Sequence, residues 1–186
     1  MFDHFNLLAP FYERVIAPPE VGRLQEILKL PARGWLLDAG GGTGRVSAQL
    51  RPMVDELVVT DASAGMLAQA RQKKVLQISQ SHAERLPFAD ETFERILVVD
   101  ALHHFANQRE AIADIARVLK TGGRLVIEEP NINLFRVKLI AFAEKITLMQ
   151  SHFISPEDIR DELIRHGLKT RIEKDSQISA WIVADK

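Results

Sequence analysis

The chain has 186 residues, 46% of them hydrophobic, and no cysteine. A net charge of −1 and a pI of about 6.6 give no bulk basic field that would point to nucleic acid, and the missing cysteines exclude disulfides and thiolate metal sites. The length is most simply one domain, residues 1–186, large enough to bury a core without staples. Met1-Phe2-Asp3-His4-Phe5 lacks the basic-then-apolar layout of a signal peptide. No apolar run reaches the ~18 residues needed to span a bilayer, so a cytoplasmic location is expected by elimination, and no metal is expected.

Residues 1–30 read as an amphipathic helical cap broken at Pro18-Pro19. Pro31 and Gly34 punctuate the chain before a first strand, Trp35 to Asp38. A helix is expected from about Gly44 to Arg51, stopped by Pro52. Leu57 to Thr60 is a second strand ending at Asp61, and Ser63 is placed to cap a helix over Ala64–Lys73. Val75 to Ser79 reads as a third strand, Leu86 to Asp90 as a loop. Arg95 to Val99 is a fourth strand, apolar throughout its second half and so covered on both faces. In Glu110–Leu119 the apolar Ala111, Ile112, Ile115 and Leu119 fall on one helical face, and Thr121-Gly122-Gly123 should end that helix. Arg124–Glu128 is a fifth strand. Residues 131–149 leave the pattern. Ser155-Pro156-Glu157-Asp158 is a helix start, with proline at the first position and acids in the first turn, and Gly167 closes that helix. Leu168–Glu173 and Ile178–Ala184 read as two last strands around Asp175-Ser176.

Alternating strands and helices ending in a pair of strands predict an α/β fold: a Rossmann-like, doubly wound sheet of about seven strands, mostly parallel with a C-terminal antiparallel strand. Ligands in such sheets bind outside the carboxyl ends of the strands. Asp38–Gly42, Asp61, Ser81–Glu84 and Asp100–His104 should therefore meet around one cleft.

The first of these stretches carries the most chemistry. An apolar strand runs into Asp38 and then into glycines at alternate positions, Gly40, Gly42 and Gly44. Glycine permits a tight turn and close approach of backbone to a ligand. A dinucleotide fingerprint would need glycine three residues after Gly42, and Arg45 stands there; the Gly-Lys-Ser/Thr of a phosphate loop is absent. Asp61, ending the next strand, suits two adjacent ribose hydroxyls, because both oxygens of a carboxylate accept. Asp38 is expected to orient the turn or attract a ligand cation, and needs a donor or cation of its own if buried.

The motifs in order are Asp38-x-Gly40-x-Gly42-x-Gly44, Val59-Thr60-Asp61, Ala83-Glu84-Arg85-Leu86-Pro87-Phe88-Ala89-Asp90, Val99-Asp100-Ala101-Leu102-His103-His104-Phe105 and Leu119-Lys120-Thr121-Gly122-Gly123-Arg124-Leu125. With them the chain resembles class I S-adenosylmethionine-dependent methyltransferases over nearly its whole length, and most of all the small-molecule enzymes typified by the ubiquinone and menaquinone C-methyltransferases. Tyr12, in Ala9-Pro10-Phe11-Tyr12-Glu13, resembles that group's tyrosine over the methionine end of the cofactor. The resemblance implies S-adenosyl-L-methionine as cofactor and S-adenosyl-L-homocysteine as product. Gly40 and Gly42 would pass the methionine moiety and Asp61 would hold the ribose. Ala62 and Met66 would pack near the adenine, with Ala83 and Glu84 at its edge. Asp100, Ala101 and Leu102 would line the passage beside the sulfonium. Many relatives carry an aspartate where His82 stands; a neutral histidine nitrogen can accept the same bond and loses that ability on protonation.

Transfer from a sulfonium is an in-line displacement that mainly requires positioning of the acceptor, with a general base needed only if the nucleophile keeps its proton until attack. His103 and His104, after the fourth strand, and His152 are the candidate bases, each also readable as a structural histidine. Glu128 and Glu129 read as solvated acids on the rim. In 131–152, Ile132, Phe135, Leu139, Phe142, Ile146 and Met149 recur at helical spacing, as a packed helix or as the acceptor-side wall of an apolar pocket. The expected acceptor is a small apolar or aromatic molecule, with room for a second subunit in a homodimer. An RNA or protein methyltransferase is the alternative within the class, disfavoured by the lack of a basic tract; a non-catalytic cofactor-binding regulator is the alternative outside it.

Overall fold

Strand alternation divides the core into two faces, and the structure, a computed structural model describing residues 9, 21–130, 152–174 and 179–186, places helices on both. The helices are α1 (Val21–Leu28), α2 (Ser47–Leu50), α3 (Ala64–Gln72), α4 (Gln108–Val118) and α5 (Pro156–Arg165). The strands are β1 (Trp35–Ala39), β2 (Glu56–Asp61), β3 (Gln77–Gln80), β4 (Phe93–Val99), β5 (Leu119–Pro130), β6 (Lys169–Lys174) and β7 (Ser179–Asp185). The described residues form one sheet in the order β3-β2-β1-β4-β5-β7-β6. All pairs from β3 to β5 are parallel, whereas β7 runs antiparallel to both its neighbours. This is the Rossmann-like sheet expected, with the antiparallel strand inserted one place in from the edge.

Leu37, Ile96, Val98, Leu125, Ile127 and Ile182 point to the face covered by α4 and α5, where they pack on Ile112, Ile115, Ile159 and Leu163. The intervening Leu36, Leu57, Val59, Leu97, Val126 and Trp181 point to the other face, against Leu24 and Leu28 of α1, Leu50 of α2 and Leu67 of α3. Continuous apolar runs are what a strand covered on both faces requires. Two arginines from the sheet hold α1: Arg95 Nε donates to Leu28 O (2.7 Å) and Arg124 Nη1 to Ile27 O (2.9 Å), which satisfies carbonyls that a helix end leaves open.

Several boundaries differ from the sequence reading. The helix expected from Gly44 begins only at Ser47, because Gly44 (φ +70°) closes a turn onto Gly41 O (2.9 Å), and a 3₁₀ turn over Arg51–Met53 follows. Asn107 starts α4 two residues earlier than Glu110 by accepting from Glu110 N (3.3 Å). Gly122-Gly123 does not terminate that helix. The pair sits inside β5, where the register against β4 shifts between Phe93 and Arg95 and Gly122 takes φ +80°. β3 starts two residues later than read and ends one residue later, at Gln80. The N-terminal helical cap before Val21, Tyr12, the 131–149 segment and the Asp175-Ser176 turn lie outside the described residues.

Candidate active site

Parallel pairing aligns the carboxyl ends of β1, β2, β3 and β4 along one edge of the sheet, and a groove opens there between Asp38, Gly40–Thr43, Arg45, Val46, Val99 and Asp100. A larger concavity, lined by residues including Pro31, Arg33, Pro52 and Asp55, lies at the opposite edge and gathers none of the predicted site residues.

The glycine turn floors the groove. Gly40 N and Gly41 N both donate to Thr60 O, at 2.8 and 3.0 Å, so the turn is stitched to β2. The glycines are needed for different reasons. A Cβ on Gly40 (φ +75°) would stand 2.8 Å from Ala101 Cβ and 3.0 Å from the Phe105 ring. One on Gly44 would strike Leu76 at 2.5 Å, so that glycine serves packing against Leu76, just before β3, and against α3. Gly41, which the motif reading passes over, lies against the Asp38 carboxyl, 2.5 Å from where its Cβ would be. Gly42 (φ +55°) alone of these faces free space: the nearest atoms to a Cβ there would be Asp61 Oδ2 at 3.9 Å and Met66 Sδ at 4.0 Å.

The two acids differ. Asp38 is buried, 1% exposed, and accepts from Ser47 Oγ at 2.5 Å, the donor its burial demands. Burial raises its pKa to about 6; the Ser47 bond and Arg45 pull it down, and Asp61 pushes it up. Asp61 is half-buried and braces the turn: Oδ2 accepts from Gly42 N (3.0 Å) and Oδ1 from Ser63 N (2.8 Å). A carboxylate oxygen accepts more than one hydrogen bond. Ser63 in turn caps α3 by accepting from Met66 N (3.3 Å), which seats buried Met66 beside the turn. Ala62 is exposed, and its carbonyl accepts from Gln80 Nε2 (2.9 Å).

Beyond β3, Ser81 N donates to Asp61 O (3.1 Å), His82 is exposed and Ala83 is buried. The Ser81 hydroxyl is buried without a partner among the described residues. The Glu84 side chain turns from the groove to accept from Asn107 N (2.9 Å). Arg117 of α4, absent from the sequence reading, anchors the following loop by donating to Leu86 O and Phe88 O, while Asp114 accepts from Leu86 N. Its Asp114 and Asp90 partners raise the arginine's pKa further.

The fourth strand's end fixes the surroundings of both candidate histidines. His103 is 3% exposed, its Nδ1 lies 2.6 Å from Glu129 Oε2 and its ring stacks on Phe153 at 4.4 Å; it is packed in the core. His104 is held at a pKa of about 3 by burial and by the neighbouring His103. The His152 side chain is exposed, and its backbone is fixed: N donates to His103 O (2.8 Å) and O accepts from Gln108 Nε2. Glu129 is not a solvated rim acid. It is 4% exposed and accepts from Ala101 N (3.0 Å) and Leu102 N (2.7 Å). Its signal was the alternation Leu125, Ile127, Glu129, which aims it at the core face. Asp100, half-buried, takes φ +52° with its N donating to Glu128 O (2.9 Å).

A doubly wound sheet in this order, with a glycine turn after the first strand and an acid ending the second, is a Rossmann-like α/β fold. Residues 37–127, just under half of the chain, match the family model described as methyltransferase domain, and the chain carries that domain. It is similar to the uncharacterized methyltransferase YcgJ of Bacillus subtilis, 28% identical over 179 residues, covering 91% of this chain and 62% of that protein. It is also similar to the ubiquinone/menaquinone biosynthesis C-methyltransferase UbiE of Stutzerimonas stutzeri, 32% identical over 133 residues, covering 64% of this chain and 52% of that protein. The chain thus spans between half and two thirds of the length of these curated relatives. In fold it matches the crystal structure of a possible histamine N-methyltransferase from Thermotoga maritima with a TM-score of 0.79 at 21% identity, covering 98% and 97% of the two chains.

Proposed function

We propose that the chain transfers the methyl group of S-adenosylmethionine to a small apolar or aromatic acceptor by in-line displacement. The cofactor supplies an electrophilic methyl on a sulfonium. The residues fit such a group: Gly42 leaves the space between Asp61 and Met66 that any side chain would fill, and Ser81 offers an unpartnered hydroxyl at the same end of the sheet. In this reading the Gly40–Gly42 backbone borders the methionine moiety and Asp61 takes the ribose hydroxyls. Ala62, Met66 and the backbone of Ala83 and Glu84 bound the adenine, with His82 at its exposed edge, and Asp100, Ala101 and Leu102 wall the passage to the methyl. Tyr12 belongs to the proposal through resemblance alone. His103, His104 and His152 stay the candidate bases, with the pKa of His104 lowered by burial, and an acceptor nucleophile already free of its proton would need none. The apolar acceptor is supported by the apolar spacing within 131–149 and by a relative that methylates carbon in quinone biosynthesis.

The observation that supports the reading is the bracing of Gly42 N by Asp61 Oδ2, which sets a carboxylate beside a side-chain-free turn. Calorimetry with S-adenosylmethionine and S-adenosylhomocysteine tests it. Asp61→Ala should weaken both by about tenfold or more, as loss of charge-assisted hydrogen bonds does; unchanged affinity would reject the ribose contact. Incubation with methyl-labelled donor and a cell extract, followed by fractionation, tests the acceptor class, since label confined to macromolecules would reject a small molecule.

A further inference from the structure

Along β5, Leu125 and Ile127 pack into the core face under α4 and α5, and the next residue on that face is a carboxylate, Glu129. A buried acid persists only when its oxygens are satisfied, and this one spends its acceptors on three consecutive residues 26 to 28 positions back in the chain. Oε1 takes the Ala101 and Leu102 amides, and Oε2 meets His103 Nδ1. The turn so held opens on a strained residue, Asp100 at φ +52°. Contacts leave it in two directions. Ala101 abuts Gly40, the first glycine of the cofactor turn. His103 stacks on Phe153 and accepts from His152 N, the first described residues after 131–151. Gln108 bridges the same two strands of chain, donating to Leu102 O (3.0 Å) and to His152 O.

We propose that Glu129 is the positioning residue of the transfer site. One carboxylate fixes the wall beside the sulfonium, through Ala101 and Leu102, and, through His103, the chain at His152 and Phe153. This inference rests on the methyltransferase reading above.

The test pairs S-adenosylhomocysteine calorimetry with hydrogen-exchange mass spectrometry of peptides spanning 100–105 and 152–155. Glu129→Ala should speed exchange in both peptides and raise the S-adenosylhomocysteine Kd about tenfold. Glu129→Gln keeps an acceptor oxygen for the two amides and should restore the Kd to within about threefold of wild type, a rescue that bulk loss of stability would not give. His103→Asn keeps a donor for Glu129 and loses the ring on Phe153; exchange should rise in 152–155 alone, with the Kd unchanged within about threefold. Wild-type exchange at 100–105 in Glu129→Ala, or a Kd raised equally by Glu129→Gln and Glu129→Ala, or by His103→Asn as by Glu129→Ala, would overturn the proposal. A wild-type chain that fails to bind S-adenosylhomocysteine would reject the methyltransferase reading instead, and the exchange pattern would then decide the role of Glu129 by itself.

Discussion

Replacing Asp38 with asparagine should stabilise the protein near neutral pH, by an amount that depends on pH in a defined way. Asp38 lies in the core behind the glycine turn, and burial holds its pKa at about 6 against an ordinary 3.8. The ionised form is therefore disfavoured in the folded state by ~3 kcal/mol. Because the folded-state value is the higher one, the favourable linkage is complete below the unfolded value of 3.8 and is lost as the pH rises through about 6. Between about pH 5 and about pH 7.5 the wild type should lose ~1.4 kcal/mol from this group alone. An asparagine does not titrate and keeps an oxygen for the Ser47 hydroxyl, which donates to Asp38 at 2.5 Å. Urea unfolding of both proteins at the two pH values measures the difference, in which the other titrating groups cancel. The gap in stability should widen in favour of Asp38→Asn by ~1.4 kcal/mol on going to the higher pH. A gap constant within ~0.3 kcal/mol would mean that Asp38 titrates like an exposed carboxylate, and the argument from burial would be wrong.

The two glycines at the start of the turn should respond differently to alanine. Gly40→Ala meets both a left-handed backbone and Ala101 at 2.8 Å, and should lower stability by ~2–3 kcal/mol in chemical denaturation. Gly42→Ala meets no atom closer than 3.9 Å and should cost only ~1–2 kcal/mol, while its methyl, filling the space before Asp61, should weaken S-adenosylhomocysteine in calorimetry; a Gly42→Ala protein that binds as wild type would remove the ligand from that space. Ser155→Ala deletes the cap that accepts from Asp158 N (3.1 Å) and should cost ~1 kcal/mol, about 2–4 °C in Tm by calorimetry; no change would mean that proline and the first-turn acids start α5 unaided.

Much of what neighbours in the chain carry was legible in the residues themselves, although the Asn107 cap and the Gly44 turn were not. Ser63 and Ser155 cap the helices they precede because a cap is a bond between residues three apart. The apolar runs of β1, β2 and β4 announce strands covered on both faces, because alternation assigns each residue to a side before any partner is known. The glycines after Asp38 and the acid at Asp61 mark the ends of parallel strands, and those ends must share an edge. What tertiary structure alone decided is the fate of groups whose partners lie far along the chain. Glu129 became a buried acceptor because the sheet sets β5 beside β4, which brings its oxygens to amides some 27 residues away. His103 became a core histidine when that carboxylate and Phe153 enclosed it, and burial lowered the basicity of His104. Gly44 proved to be a packing glycine only once Leu76 lay against it. A sequence fixes what each residue can offer; burial and long-range contact choose which of those offers is taken, since both depend on strand order rather than on local spacing.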